Sequence, residues 1–336
     1  MEDANILPPV SRSFFLITWR DNEKTRNIRI RKWFRFAVCD TCVRLREEKN
    51  KLHSLNELQK HREKELEHYQ FYRRERDSYY ERRDRARKYP NRCMSWIIDG
   101  ADQSHFCLPH HHIRSHAIQN AYRIQAHLMG LISHGRGAYG FTFLDNVKQG
   151  TNVTIEVMYQ ALLDMESHNE AIPDVLFLQM DNTAKQCKNQ YMWGFLGYLV
   201  MRKIFRKVVV SFLPVGHTHE DIDQLFSRIS VWLRGHDARS RIELSCGIRE
   251  AYKTKSNQRC KVLNMDTANN FSDWIQPYLK NFKGQSKYHQ FRIFQQSDSQ
   301  EVVLQCRQWC RKKQMWNGIE EHEQFTRIFR CLPPNP

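Results

Sequence analysis

The sequence predicts an α/β protein built on a mixed β-sheet, and three observations lead to this prediction. Two short apolar runs rich in β-branched residues, Val175–Met180 and Val208–Leu213, are typical of strands covered by helices on both faces. The residues between them, 183–204, carry apolar side chains at helical spacing. Two alternating segments upstream are separated by His-Gly-Arg-Gly, which indicates a hairpin.

Composition favours a polyanionic partner. The 336-residue chain is long enough for a sizeable core, and its net charge of +16 favours nucleic acid first and an acidic membrane surface second. No apolar stretch approaches the ~20 residues that a membrane-spanning helix needs, so no membrane-spanning segment is expected. With nucleic acid as the favoured polyanion, DNA and not a membrane is the predicted partner. The N-terminus lacks a signal-peptide pattern, and the ten cysteines are irregularly spaced. Reduced thiols in an intracellular protein are therefore expected.

The N-terminal residues 1–43 are predicted to contain two or three short strands. The apolar run Phe14–Trp19 suggests one strand, and the alternation of Ile28 and Ile30 with basic residues up to Phe36 suggests another.

Cys39 and Cys42 form a Cys-x2-Cys pair, which is half of a zinc site. No histidine spacing downstream fits a known zinc finger, so the alternative is a pair of ordinary thiols. The candidates for the second half of the site are His53, His61 and His68.

Residues 44–90 are predicted to form one long charged helix. The segment has no Gly or Pro before Pro90, and oppositely charged residues such as Glu47 and Lys51 recur four positions apart. Bases and tyrosines are interleaved in its second half, which suits contact with a phosphate backbone, although a solvated helix face is the alternative. The predicted nucleic-acid contacts on this helix are Arg73, Arg74, Arg76, Arg82, Arg83, Arg85, Arg87 and Lys88.

The predicted catalytic core spans residues 91–238. A short strand, Met94–Ile98, leads to Asp99, and the hairpin follows with strands Ala126–Ile132 and Ala138–Leu144. Helical spacing then predicts a helix from Thr151 to Ser167, before the two apolar runs and the helix between them.

The remaining residues, from 239 to 336, are predicted as a small α+β appendage with a Pro-rich tail. Its first element is a predicted helix from Ile242 to Thr254.

The order of elements and the positions of acids together predict the ribonuclease-H-like fold. The core reads strand, strand, strand, helix, strand, helix, strand, helix. Asp99 lies at the first strand and Asp181 after the fourth. The start of the last helix carries Glu220, Asp221 and Asp223. Sites in open α/β sheets form outside the carboxyl ends of strands, so three acids are expected to meet there.

Three close carboxylates repel one another unless a cation offsets their charge. Their hard oxygens suit Mg²⁺ or Mn²⁺, and two such ions can promote phosphoryl transfer. Asp99 and Asp181 are the predicted ligands of the two ions, and Asp102 is the alternative to Asp99 because strand ends are hard to predict. The third ligand is predicted as Asp223, with Asp221 second and Glu220 third. A helix directs Asp221 and Asp223 to nearly opposite sides, so only one of these two is expected to bind the metal.

Two further residues are assigned to this site. His219 shares a helix face with Asp223 and could contact a phosphate or relay a proton. Lys188 could contact the substrate backbone. The structural alternative is that the acids only cap helices and strand ends, which is common for Asp and Glu.

A competing motif lies in the same stretch. His217, His219 and Asp221 read as His-x-His-x-Asp, which resembles the zinc motif of the metallo-β-lactamase superfamily. Ile222 stands where that family has a histidine, and the motif leaves Asp99 and Asp181 without a role. A zinc hydrolase is therefore the third functional hypothesis.

The segments Asp181–Asn189 and Phe212–Phe226 resemble the core of a largely uncharacterised family of transposon-derived proteins with Asp-Asp-Asp/Glu transposase cores. That family has Asp-Asn, then Gln-Asn-Lys-Asn, then Gly-His-Thr followed by acids; Cys187 replaces one of its asparagines. Asp99–Gln103 resembles the first-acid motif.

The resemblance implies Mg²⁺-dependent cleavage and transfer of DNA ends. Nuclear localisation is a hypothesis from the basic charge and this proposed substrate. A catalytically inactive DNA-binding derivative is the second hypothesis. DNA is the expected partner, and homo-oligomer formation is left open.

Overall fold

The computed structural model describes residues 11–22, 38–103, 106–113, 115–118, 120–218, 220–253, 260–281, 283–310, 315–319 and 323–336. The chain divides into two compact units, Met1–Ala37 and Val38–Pro336. The described part of the first unit is helix α1 (Arg12–Asp21), where the Ser11 hydroxyl accepts the Phe14 N–H at 3.2 Å. The strand predicted at Phe14–Trp19 is wrong, because so short an apolar run fits either structure and the serine cap favours a helix.

The other strand predicted near the N-terminus, which includes Ile28, Ile30 and Phe36, lies outside the described residues.

The second unit begins with two helices where the sequence predicted one. Helix α2 (Asp40–Lys49) ends before Asn50, and helix α3 (Leu55–Lys88) begins after a short turn. Ser54 and Glu57 form a capping box, in which the Glu57 N–H donates to Ser54 Oγ at 3.2 Å and the Ser54 N–H donates to Glu57 Oε2 at 3.3 Å. The long helix is thus interrupted by a local start signal, not by Gly or Pro.

Ten strands and eight helices are present in the described residues. The remaining helices are α4 (Thr151–Ser167), α5 (Gln190–Met201), α6 (Asp221–Leu233), α7 (Arg241–Ala251) and α8 (Phe271–Ile275). The strands are β1 (Cys93–Gly100), β2 (Cys107–Leu108), β3 (Ile124–Ser133), β4 (Gly137–Leu144), β5 (Val175–Met180), β6 (Lys207–Phe212), β7 (Cys260–Asn264), β8 (Gln290–Gln295), β9 (Val302–Arg307) and β10 (Thr326–Arg327). None of the described helices is long and apolar enough to cross a membrane.

The strands form one mixed sheet in the order β10-β9-β8-β6-β5-β1-β3-β4-β7, with β2 paired to β3. Strand β1 runs parallel to β5 and antiparallel to β3, and β5 runs parallel to β6. The predicted α/β class with a mixed sheet is confirmed, as are the hairpin of β3 and β4 and the helices α4 and α7.

The C-terminal residues do not form a separate appendage. Strand β8 pairs antiparallel with β6, and β7 pairs parallel with β4, so residues after 239 extend the central sheet at both edges. The prediction of an appendage is therefore corrected. The physical reason is that β4 and β6 would otherwise be edge strands with unpaired backbone groups.

Helices cover both faces of the sheet. Helices α4, α5 and α8 pack on one face, against the apolar side chains Trp96 and Ile98 of β1. Helices α6 and α7, with Tyr79 of α3, pack on the other face, against Ile97. Because side chains alternate along a strand, Asp99 follows Ile97 on the α6 face.

Candidate functional site

Asp99 and Asp181 lie next to each other at the carboxyl ends of two parallel strands. Ile98 of β1 is in register with Met180 of β5, so the following residue on each strand reaches the same edge of the sheet. Both aspartates line a cavity of about 190 Å³, together with His127, Gln149, Gln186 and neighbouring residues. The topology thus joins the first two acids that the sequence predicted.

Asp223 completes the group of three acids. Burial, followed by the negative charges of Asp181 and Asp223, raises the pKa of Asp99 to about 7, against the hydrogen bond from the Gly100 N–H. Asp223 Oδ2 accepts the Glu220 N–H at 2.8 Å, which fixes its carboxylate at the start of α6. The three first-choice acids therefore share one electrostatic environment.

Helix α6 is placed against the sheet by a close approach to β3. Gly130 of β3 is in register with Asp99, and a Cβ there would come within 2.9 Å of the Phe226 ring. The absence of a side chain at Gly130 lets α6 pack close to the strand next to Asp99.

Glu220 and Asp221, the alternative third acids, are bound by other residues. Arg76 Nε of α3 donates to Glu220 Oε1 at 2.8 Å. Asp221 Oδ2 lies 3.2 Å from Arg83 Nη1 and 3.1 Å from His134 Nε2. Burial acts to raise the pKa of the Asp221 carboxyl, but the hydrogen bond from His134 and the Arg83 charge lower it overall. Both acids therefore act as contacts between α6 and its neighbours.

The remaining predicted site residues have other surroundings. Asp102 is exposed and is not part of the lining of the cavity beside Asp99. His219 lies outside the described residues. Lys188 is 4% exposed, and its Nζ donates to Asn182 Oδ1 and to the Ser286 carbonyl, each at 3.0 Å. Burial lowers the pKa of Lys188 to about 8. Lys188 thus holds the residue that follows Asp181.

A second cluster joins Cys39, Cys42, His68 and His217, whose donor atoms all lie within 4.8 Å of one another. His68 Nε2 lies 3.4 Å from Cys39 Sγ, 3.2 Å from Cys42 Sγ and 3.4 Å from His217 Nε2. Cys42 Sγ lies 3.6 Å from His217 Nε2. These four residues form a possible Cys2His2 metal-binding cluster.

Three separate segments bring this cluster together. Cys39 caps the N-terminus of α2 and Cys42 lies in its first turn, His68 lies on α3, and His217 lies in the loop between β6 and α6. Of the three predicted histidines only His68 takes part, since His61 Nε2 contacts the Leu45 carbonyl at 2.7 Å.

Burial lowers the pKa of both His68 and His217, which favours the neutral imidazole that binds metals. The sequence pointed to His217 through the zinc-hydrolase motif, and its part in this cluster was missed.

A protein-family model matches residues 116–312, which is more than half of the chain. The chain belongs to the family of the domain of unknown function DUF7869. The DUF7869 segment contains Asp181, His217 and Asp223, whereas Asp99 and the other three members of the Cys2His2 cluster precede it. No match is found among curated proteins, and none among solved structures.

The predicted DNA contacts on α3, upstream of the DUF7869 segment, divide into two groups. Arg76 and Arg83 contact the acids of α6, and Arg82 Nη2 donates to Gln290 Oε1 at 2.6 Å. These three therefore bind the DUF7869 segment itself. The exposed residues that stay available as predicted DNA contacts are Arg73, Arg74, Arg85, Arg87 and Lys88.

His127 of the DUF7869 segment was not predicted as a site residue, because its only sequence signal is a place on an alternating strand. The side chain is 6% exposed and lines the cavity beside Asp99. Gln149 Nε2 donates to His127 Nδ1 at 2.6 Å, and His127 Nε2 lies 2.7 Å from Asp145 Oδ1. The first contact requires an unprotonated Nδ1, so the second is a donation from Nε2–H. The ring is thereby fixed in one tautomer.

Proposed function

We propose that this chain is a transposase-like, metal-dependent DNA nuclease and strand transferase. The observation that carries the proposal is the meeting of Asp99, Asp181 and Asp223 at the carboxyl ends of β1 and β5 and the start of α6. A carboxyl group with a raised pKa, such as that of Asp99, that lies beside other acids at a cavity is typical of catalytic sites.

A ribonuclease-H-like core is part of the same proposal. The strand order β4-β3-β1-β5-β6, with β3 antiparallel to both of its neighbours and β1, β5 and β6 mutually parallel, supports it. Helices α4 and α5 connect the strands in the sequence that this fold requires. The acids occupy the first strand, the end of the fourth strand of this core and the helix after the fifth.

The residues present fit two Mg²⁺ or Mn²⁺ ions. Asp99, Asp181 and Asp223 offer only hard carboxylate oxygens, and the mutual repulsion that helps to raise the pKa of Asp99 would be relieved by a cation. When bound, such ions activate the attacking oxygen and stabilise the leaving oxygen of a phosphoryl transfer. The Cys2His2 cluster offers softer donors, which suit a structural Zn²⁺ instead.

The chain's own residues would orient the DNA and the acids. Lys188 holds Asn182 beside Asp181, and the Glu220 N–H holds the Asp223 carboxylate. The net charge of +16 and the exposed bases of α3 would attract the phosphate backbone. Nuclear localisation follows from a DNA substrate and is part of the proposal, and whether the chain forms a homo-oligomer is left open.

The geometry does not support the zinc-hydrolase hypothesis. His217 faces Cys42 and His68, while Asp221 contacts Arg83 and His134 on a different side. The described members of the His-x-His-x-Asp motif are therefore not brought to one metal.

The test compares Asp181→Asn with wild-type protein and with Asp174→Asn. Asp174 is a matched control because its side chain is 72% exposed and lies at the opposite end of β5. Labelled duplex DNA is incubated with Mg²⁺, Mn²⁺ or Zn²⁺, and DNA binding and Mn²⁺ binding are followed in parallel. We expect Mg²⁺- or Mn²⁺-dependent nicking and Mn²⁺ binding in the wild type and in Asp174→Asn, with a loss of at least about 100-fold in nicking by Asp181→Asn.

DNA binding that persists in all three proteins, without cleavage and without Mn²⁺ binding, would favour the inactive DNA-binding derivative. Absence of DNA binding would contradict both the nuclease and the inactive DNA-binding derivative.

A further inference from the structure

We propose that Cys39, Cys42, His68 and His217 bind one Zn²⁺ in a closed structural site, and that this ion fixes the start of α6. The zinc site stands independently of the nuclease proposal. The consequence of zinc binding for Asp223 rests on the proposed function, because Asp223 is a metal ligand only under the nuclease proposal.

The spacing of the four donor atoms matches tetrahedral zinc. Bonds of about 2.3 Å to sulfur and 2.0–2.1 Å to nitrogen place tetrahedral ligand atoms roughly 3.3–3.8 Å apart. Four of the six separations among these atoms run from 3.2 to 3.6 Å, and all six lie within 4.8 Å. Hydrogen bonds could explain any single contact, but they do not require both imidazole Nε2 atoms and two sulfurs to converge.

The chemistry of the ligands points to zinc and to a structural role. Two thiolates and two neutral imidazoles suit Zn²⁺ far better than the hard cations proposed beside Asp99. Four protein ligands fill a tetrahedral shell and leave no position for water or substrate, which separates structural from catalytic zinc sites. The cluster is therefore expected to stabilise the fold.

Neighbouring residues hold His217, the zinc ligand from the loop between β6 and α6, in place. Tyr72 stacks on the His217 ring with centroids 3.9 Å apart and planes inclined by 10°. Arg76 Nη2 donates to the His217 carbonyl at 3.4 Å. Gly216 has φ of +79°, and a Cβ there would lie 2.3 Å from the Cys39 backbone nitrogen. The loop backbone thus packs directly on the start of α2.

A short series of contacts links the zinc ligand His217 to the acid Asp223. Arg76, which contacts His217, also donates to Glu220 Oε1 at 2.8 Å. The Glu220 N–H in turn donates to Asp223 Oδ2 at 2.8 Å. An ion shared by residues 39–42, 68 and 217 therefore holds the loop that begins α6. Without it, we expect the loop and the first turn of α6 to open more often.

The first experiment measures metal in the full chain. We expect about one zinc per chain in the wild type and in Cys246→Ser, a control because Cys246 is an exposed thiol outside the cluster. Cys42→Ser and His217→Gln are expected to lower the zinc content at least tenfold. Co²⁺ exchanged into the wild type should show the thiolate charge-transfer and tetrahedral ligand-field absorption of a Cys2His2 site. Zinc-free wild-type protein without a Co²⁺ signature would overturn the site, whether or not any variant folds.

The second experiment measures amide hydrogen exchange on the wild type with zinc bound and after chelation. We expect at least a tenfold rise in exchange over 213–225, with little change in α4, which is far from the cluster in sequence and packs on the other face of the sheet. A zinc-dependent chain without this rise would refute the link to α6.

Neither readout uses DNA or added Mg²⁺. Suppose that the chain binds zinc and shows the expected exchange but neither nicks DNA nor binds Mn²⁺. The zinc-site proposal would then hold, and the nuclease proposal would be refuted.

Discussion

Asp99 and Asp181 follow Ile98 and Met180, which are paired in the parallel register of β1 and β5. The sheet therefore sets two carboxylates side by side before any ligand arrives. Burial and the charges of Asp181 and Asp223 raise the pKa of Asp99 to about 7. A folded protein that holds ionised carboxylates in this way is less stable than it would be without them, and the site is the reason that they are held there.

The Asp99→Asn variant should be more stable than the wild type at pH 8 without added Mg²⁺ or Mn²⁺. The folded-state pKa of about 7 exceeds the ordinary 3.8, so the folded state binds the proton more tightly and wild-type stability falls as pH rises from about 4 to 7. The neutral amide avoids this loss. Denaturant unfolding should show a gain of about 1–2 kcal/mol at pH 8 that shrinks towards pH 5. An equal gain at both pH values would contradict the assignment.

Asp223→Asn and Asp221→Asn should have opposite effects. The amide oxygen in Asp223→Asn still accepts the Glu220 N–H, so this change should alter the free energy of unfolding by less than about 1 kcal/mol while abolishing Mn²⁺ binding and nicking. Asp221→Asn weakens the contacts with Arg83 and His134 and should cost about 1–2 kcal/mol while Mn²⁺ binding persists. Calorimetric Mn²⁺ titration and urea unfolding separate the two. Loss of Mn²⁺ binding in Asp221→Asn alone would reverse the assignment of the third acid.

Gly216→Ala should weaken both the fold and the zinc site. The residue has φ of +79°, and the added Cβ would lie 2.3 Å from the Cys39 nitrogen, which cannot move as a side chain can. We expect a loss of about 2 kcal/mol or more in the free energy of unfolding and faster zinc transfer to a chromogenic chelator. Gly150→Ala is the matched control, since it also has positive φ but nothing within 4 Å of the added Cβ. Equal zinc release from both variants would show that packing on Cys39 is unimportant.

The double change Arg73→Gln and Arg74→Gln should weaken DNA binding without weakening the fold. Both side chains are exposed on α3. Each phosphate contact that is lost should reduce the slope of log affinity against log salt by about 1, so the double variant should reduce it by about 2. Fluorescence anisotropy at several salt concentrations measures the slope. Arg206→Gln is the control, because Arg206 is also exposed but precedes β6 at the end of the sheet opposite the acids. An unchanged slope in the double variant would remove α3 from the DNA-binding surface.

The periodicity of apolar residues was enough to predict those elements whose structure depends on local spacing. Helix α4 spans Thr151–Ser167 as its apolar spacing predicts, and β5 spans the predicted Val175–Met180. The sequence could place the acids relative to the predicted strands and helices, because the end of a strand and the start of a helix are both local features. Helix geometry indicated only that Asp221 and Asp223 face different sides, so that just one of them would be expected to join the other acids.

Long-range contacts could not be predicted from these patterns. His217 joins Cys42 across 175 positions, and no spacing rule links them. The pairing of β8 with β6 likewise depends on an edge that forms only in the folded sheet. The break before α3 was foreseeable, because Ser54 and Glu57 have capping-box spacing, but the dense charge suggested an unbroken helix. The N-terminal run Phe14–Trp19 was too short to distinguish helix from strand.

The pairing of β7 with β4 and of β8 with β6 has a consequence for synthesis of the chain on the ribosome. The three acids of the site have all been translated by residue 223. The outer edges of β4 and β6, however, have no partner strand until residues 260–295 have been translated. During that interval the nascent chain exposes backbone donors and acceptors that another nascent chain could bind. Translation pauses before residue 260 should therefore favour aggregation.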